Sequence, residues 1–133
     1  MDRAPTLDVL IVDDDPAVAD STADILAGVG LSCAVAPSLP EALAVLADGT
    51  EVGVVILDHH LAEASEGGDC AGPDPMPPVI LMSGIRGAEL HAVQRRHGPK
   101  LFAFLGKPVP PGELIAVVRR ALGTGRETGL RWR

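Results

Sequence analysis

Three adjacent carboxylates, Asp13, Asp14 and Asp15, follow the apolar run Val9-Leu10-Ile11-Val12 and precede Pro16. Neighbouring acids repel one another, and a carboxylate taken out of water without a partner is strongly disfavoured. Such a run calls for a cation. A second apolar run, Val54-Val55-Ile56-Leu57, ends in Asp58; a third ends in Ser83 and a fourth leads into Lys107. Acids, a hydroxyl and a lysine at the ends of strand-like runs are the parts of a metal-assisted phosphoryl site. Asp13, Asp14 and Asp58 offer hard oxygen ligands of the kind Mg²⁺ takes. Asp58 can act as a nucleophile, because a carboxylate can form an acyl phosphate. Lys107 and the metal would stabilise charge on the transferring phosphoryl oxygens. Ser83 would hydrogen-bond one of those oxygens, and Gly84 leaves room for close backbone approach. Asp15, followed by Pro16, reads instead as a helix cap.

These residues need a frame. Continuous apolar runs at 8–12, 31–36, 53–57, 79–82 and 101–105 suit strands buried on both faces of a parallel sheet. Between them lie helical patterns. The first opens at Asp15-Pro16, places Val18, Thr22, Ile25, Leu26 and Val29 on one face, and ends at Gly28 and Gly30. The second opens on Ser38-Leu39-Pro40-Glu41, a capping box, and closes at Asp48-Gly49. A more polar helix is expected at about 86–97, and a last one after Pro110-Pro111 with Leu114, Val117, Val118 and Ala121 inward. Alternating strands and helices predict an α/β fold with a doubly wound sheet. In such sheets ligands bind at the carboxyl ends of strands, where Asp13, Asp14, Asp58 and Ser83 fall, with Lys107 just beyond.

The 133 residues suit one domain with one core, and 47% hydrophobic with 22% charged residues is a globular mixture. A net charge of −7 argues against a nucleic-acid module, which carries a basic patch. Cys33 and Cys70 form neither a metal motif nor a disulfide framework, which favours a reducing, cytoplasmic setting. The N-terminus has no apolar targeting segment, and no run approaches the ~20 residues that span a bilayer. The segment from Gly123 onward shows no periodicity and reads as a linker stub or docking tail, so residues 1–123 are expected to form the domain and 124–133 the tail.

Four motifs in register give a resemblance: Val-Asp-Asp-Asp-Pro at 12–16, Ile-Leu-Asp at 56–58, Leu-Met-Ser-Gly at 81–84 and Leu-Gly-Lys-Pro at 105–108. Over about residues 7–122 the chain resembles the receiver domain of two-component response regulators, which has a five-stranded flavodoxin-like fold. The resemblance implies that Asp13 and Asp14 hold Mg²⁺ with Asp58, that Asp58 is the phosphoacceptor, and that the His60 backbone carbonyl is a further metal ligand. It makes Ser83 the hydroxyl that moves toward the phosphate, Phe104 the aromatic switch residue, and Lys107 the site's cation, before a proline whose peptide is often cis. The implied partner is a histidine kinase or phosphotransfer protein. The implied enzymology is limited to the domain's own phosphorylation and dephosphorylation. Homodimers are implied through the face made by the helix at 86–97, the strand at 101–105 and the last helix, with Arg95-Arg96 and Arg119-Arg120.

One stretch departs from that family. After His59-His60 the residues 61–78 are rich in breakers and nearly without a helical face, and Asp58 to Ser83 is short for the family. A third helix that is reduced or replaced by a loop is expected. His59-His60 lacks Cys or His partners at ligand spacing for zinc, and in an extended loop adjacent side chains point apart; His60 is better placed to affect water access to the acyl phosphate. Two other readings follow from the same residues. One is a receiver fold serving as a phosphorylation-independent docking or dimerisation module. The other is a phosphatase or phosphotransferase of the haloacid-dehalogenase type, which places Asp-x-Asp on the first strand followed by Gly-Thr, whereas here the first-strand acids are followed by Pro16-Ala17-Val18.

Overall fold

The apolar runs become five strands of one sheet. The computed structural model describes residues 6–64, 77–84 and 102–128, with side chains as far as Leu61 in the first stretch and Gly123 in the last. The strands are β1 (Thr6–Val12), β2 (Cys33–Ala36), β3 (Glu51–Asp58), β4 (Val79–Ser83) and β5 (Ala103–Gly106). Four described helices are α1 (Pro16–Ala27), α2 (Leu39–Ala47), α3 (His59–Ala64) and α4 (Pro111–Thr128). All neighbouring strands are parallel, in the order β2-β1-β3-β4-β5, the doubly wound order of the flavodoxin-like fold.

Side-chain alternation divides the core into two halves. Val9 and Ile11 of β1, Val54 and Ile56 of β3, and Ile80 and Met82 of β4 pack under Ala19 and Leu26 of α1 and Leu114, Val118 and Ala121 of α4. Leu10, Val12, Val55, Leu57, Val79 and Leu81 face the other way, toward Ala42 of α2 and Leu61 of α3. The central strands β1, β3 and β4 are thus apolar on both sides, which is why their runs are continuous rather than alternating, while the edge strand β2 leaves Ala34 and Val35 exposed. At the far end of β3 stands Gly53. A Cβ there would strike the Leu122 side chain of α4 and lie 2.8 Å from the Asp8 carbonyl oxygen, so glycine lets α4 settle onto the sheet.

Local signals set the helix ends. Asp15 accepts the Ala17 N–H at 3.0 Å and the Val18 N–H at 3.4 Å, capping α1 as its position before Pro16 predicts. The ending of α1 turns on Gly30, at φ 89°: the Leu31 N–H reaches Leu26 O at 3.2 Å and the Gly30 N–H reaches Ala27 O at 3.0 Å, the paired bonds of a Schellman ending. Ser38 Oγ accepts the Glu41 N–H at 3.3 Å, and its hydroxyl donates to Glu41 Oε2 at 3.1 Å.

Several expectations shift. Val29 lies beyond α1 and is 36% exposed rather than on its buried face. β2 starts at Cys33, because Ser32 is used instead in a reciprocal pair with Asp8, each side-chain oxygen taking the other's N–H at 2.9 Å. β3 is longer than expected and includes Asp58, and β5 begins at Ala103 and runs to Gly106. α4 continues as helical backbone past Gly123 to Thr128. Within the described residues the third helix covers His59–Ala64, directly after β3; the reduction expected of it falls on residues beyond Ala64, outside the described ones. His59 and His60 are accordingly its first two residues and not part of an extended loop, with ring centroids 5.5 Å apart. The breaker-rich residues 65–76, Cys70 among them, and the expected helix at 86–97, with His91, Arg95, Arg96 and His97, lie outside the described residues. No described helix is long and apolar enough to cross a membrane.

Candidate functional site

The sheet order reverses between β1 and β3, and the crevice at such a switch point is where doubly wound folds bind ligands. Asp13 and Asp14 leave the end of β1, while Asp58 is the last residue of β3. One oxygen from each of these three carboxylates lies within 4.8 Å of the others, the group of potential metal ligands found among the described residues. Asp13 is 5% and Asp58 4% exposed; Asp14 faces solvent.

The lysine comes from the next strand ends. The Lys107 N–H donates to Ser83 O at 2.7 Å, which carries the residue onto the β4 edge just beyond β5. Its Nζ donates to Asp58 Oδ1 at 2.5 Å and lies 3.7 Å from Asp13 Oδ2. The Lys107–Pro108 peptide is cis, as the Leu-Gly-Lys-Pro motif led one to expect. Asp58 Oδ2 accepts the His60 N–H at 3.0 Å, and Asp13 Oδ1 accepts the Asp15 N–H at 2.9 Å. Each of the two buried carboxylates is thus fixed by a backbone N–H two residues on, while both face one ammonium. Neither of those N–H bonds was anticipated from the motifs. The signal was present in the sequence, since an aspartate at a strand end commonly folds back on the amide two positions later.

The electrostatics follow from crowding. Burial pushes the Asp13 carboxyl above its ordinary value; the Asp15 N–H works against this, the Asp58 charge adds to it, Lys107 opposes it, and Asp14 adds again. Burial alone would lower the Lys107 ammonium, but the hydrogen bond and charge of Asp58, joined by Asp13 and Asp15, outweigh it and hold the lysine above its usual range. Three carboxylates served by one lysine leave an excess of negative charge. That excess, presented by oxygen donors alone, fits a hard divalent cation such as Mg²⁺. Asp13, Asp14 and Asp58 are the residues that would hold it.

Ser83 ends β4 with its side chain buried, 3% exposed, and pairs in register with Gly106. It therefore stands one strand away from Asp58. Phe104 pairs with Leu81 and packs, partly buried, against the core face shared by α2 and α3. The structure brings Asp13, Asp14, Asp58 and Lys107 into contact range. It sets Ser83 beside them on the neighbouring strand and leaves Phe104 to one side on β5.

Comparisons with known proteins agree with this arrangement. A family model for the response regulator receiver domain matches residues 9–119. Among solved structures, a CheY-like response regulator receiver domain protein from Methanospirillum hungatei is 23% identical with a TM-score of 0.70, over 95% of this chain and 99% of that one. The receiver domain of NtrX from Brucella abortus is 27% identical with a TM-score of 0.70, over 88% of this chain and 99% of that one. NtrX itself, from the same organism, is 29% identical with a TM-score of 0.71, over 92% of this chain but 28% of its own length. No curated protein sequence matches. With the family model covering both acid motifs, the serine and the lysine, the chain belongs to the response regulator receiver domain family.

Proposed function

We propose that this receiver takes a phosphoryl group onto Asp58 from the phosphohistidine of a histidine kinase or phosphotransfer protein. The observation that carries the reading is the convergence of Asp13, Asp14 and Asp58 at the sheet's switch point, with Lys107 already on Asp58 Oδ1. In the transfer, an Asp58 oxygen forms a bond to phosphorus and the donor's P–N bond breaks. The bonding pair stays on the imidazole nitrogen, which then takes up a proton. Lys107 sits where it can follow charge from the carboxylate to the phosphoryl oxygens. Asp13, Asp14 and Asp58 are assigned to a bound Mg²⁺, which would supply positive charge against the clustered oxygens; the His60 carbonyl, which the resemblance implied as a further ligand, is turned along α3 by its helical backbone and is not assigned to the metal. The Ser83 hydroxyl is assigned to a phosphoryl oxygen once the group is in place, and Phe104 to the change of surface that follows. The outcome is a two-state switch in a protein-binding face, biased by local charge.

The receiver unit is assigned to residues 1–123 and the segment 124–133 to a connecting tail. Homodimerisation is proposed through the surface that includes β5 and the exposed Arg119 and Arg120 of α4. A cytoplasmic setting, no direct nucleic-acid contact and no turnover of a separate substrate complete the reading.

Beryllofluoride with Mg²⁺, a phosphoryl mimic, tests it. Amide signals around Asp58, Ser83 and Gly84 should shift; no shift there would refute the switch. Asp58→Asn should abolish labelling by a phosphohistidine donor, and persistent labelling would move the acceptor to another residue.

A further inference from the structure

One edge of the sheet carries none of the usual guards against pairing. β2 is the terminal strand, with β1 on its inner side. The Val9 N–H bonds to Ser32 O and the Asp13 N–H to Ala36 O, so Ser32, Ala34 and Ala36 turn their backbone groups toward β1. With the two-residue period of a strand, Cys33 and Val35 turn theirs outward. No described residue pairs with them there. Native edge strands are commonly blunted by lysine, proline or a bulge, and Cys33-Ala34-Val35-Ala36 runs in unbroken register without any of these. Val35, 41% exposed, is one of the two large hydrophobic side chains left exposed among the described residues. The other, Val29, lies in the same stretch. From Ile25 to Pro40 that stretch contains no charged residue, in a chain of net charge −7.

We infer that two copies of this chain pair through β2, antiparallel about a two-fold axis at Ala34. Charge selects a second copy as the occupant. Two chains of net charge −7 repel over most approaches, and an uncharged edge lets them meet without apposed carboxylates. The edge is also self-complementary, as a two-fold interface must be. With Ala34 on the axis, Cys33 of each copy faces Val35 of the other. Each such pair exchanges both N–H···O bonds, which uses every outward backbone group of β2. Ala34 meets its own counterpart at the closer, non-hydrogen-bonded spacing of about 4.5 Å, where a methyl group crowds least. At either end Leu31 faces Pro37 of the second copy. The Leu31 N–H is already on Leu26 O at 3.2 Å and Pro37 has no N–H, so the donors of the edge stop where the pairing stops. This contact lies at the opposite edge of the sheet from β5, and it does not rest on the phosphoacceptor reading.

Sedimentation equilibrium and amide hydrogen exchange on the full chain, in reductant and without Mg²⁺, test the pairing. A contact built on so short an edge belongs to the weak class, with a dissociation constant of about 100 µM. On that value the Cys33 and Val35 amides should exchange at least about threefold more slowly at ~1 mM than at ~10 µM protein. The Ala34 and Ala36 amides, which already face β1, should exchange alike at both concentrations. Val35→Lys alters an exposed side chain and should weaken the dimer at least about tenfold, because it sets an ammonium from each copy on the shared edge. Arg119→Glu combined with Arg120→Glu, far from β2, should leave it within about twofold of the parent. A chain that stays monomeric to ~1 mM leaves the edge to a strand of another protein and overturns the inference. A dimer whose Cys33 and Val35 amides do not respond to concentration overturns it as well. So does a dimer that survives Val35→Lys and is lost on replacing the two arginines, which would place the contact on α4. Should Val35→Lys fail to fold, the exchange measurement on the parent remains decisive.

Discussion

Replacing Asp13 with Asn should stabilise the metal-free protein while removing its metal response. At an effective dielectric constant of about 20, the 3.7 Å separation from Lys107 is worth ~4.5 kcal/mol of attraction to Asp13. Repulsion from Asp58 and Asp14, each within 4.8 Å, is at least ~3.5 kcal/mol apiece on the same scale. Asp14 is exposed, so solvent screens much of its share, and burial of Asp13 adds an unfavourable contribution of its own. The net is an ionised Asp13 that disfavours the fold by about 1–2 kcal/mol. Asn keeps the oxygen that accepts the Asp15 N–H and drops the charge.

Urea denaturation in chelator at pH 7 should show the midpoint rising by about 0.5–1.5 M for a typical urea dependence. Added Mg²⁺ should stabilise the parent and leave Asp13→Asn nearly unchanged. The pH profile gives an independent check. The folded protein keeps the Asp13 proton to higher pH than the unfolded chain, whose carboxyl titrates near 3.8. The contribution of this group is full below that value and declines as pH rises through the raised folded value. The substitution should remove that decline. A destabilised Asp13→Asn protein, or one with the parental pH profile, would refute the electrostatic argument.

Three further outcomes are expected. Gly53→Ala should destabilise by about 1–3 kcal/mol in urea, because the new methyl meets the Leu122 side chain and the Asp8 carbonyl, and a β1 backbone atom cannot yield cheaply; an unchanged midpoint would mean that α4 rests on the sheet differently. Asp15→Ala should lower stability by about 1 kcal/mol and speed amide exchange at residues 17 and 18 without altering the Mg²⁺ response, and loss of that response would make Asp15 a ligand rather than a cap. Cys33, whose thiol is pushed up first by burial and then by the Asp8 charge, should be alkylated in a Cys70→Ser protein at pH 8 at least about tenfold more slowly than after unfolding. Rapid modification of the folded protein would contradict that burial.

Legibility in the sequence tracked how local the physical cause is. Strand runs, the Asp15 cap, the Ser38 cap and the glycine endings are written in contiguous residues, and each appears where its chemistry puts it. The site residues were legible because four short motifs had to agree in order and register. Other features depend on partners far away in the chain. Ser32 was read into β2, but Asp8, from the neighbouring strand, claims it. Val29 has the helical spacing of a core residue and falls just past the turn that ends α1. The two histidines after Asp58 precede the breaker-rich stretch, and the helix formers Leu61-Ala62-Glu63-Ala64 stand between them and it. The His60 N–H donates to the Asp58 carboxylate before them, a contact that propensity does not count. Gly53 read as an ordinary strand residue because its reason lies in a helix some seventy positions later.

The bond from the Lys107 N–H to the Ser83 carbonyl has a mechanical consequence. Two groups assigned to the phosphoryl end of the site hang from neighbouring strand tips that share one link. A shift of the Ser83 backbone pulls on the amide of the lysine, and a pull on the lysine is returned to the serine. The two strand-end backbones are therefore coupled, while the hydroxyl and the ammonium keep the freedom of their own side-chain torsions.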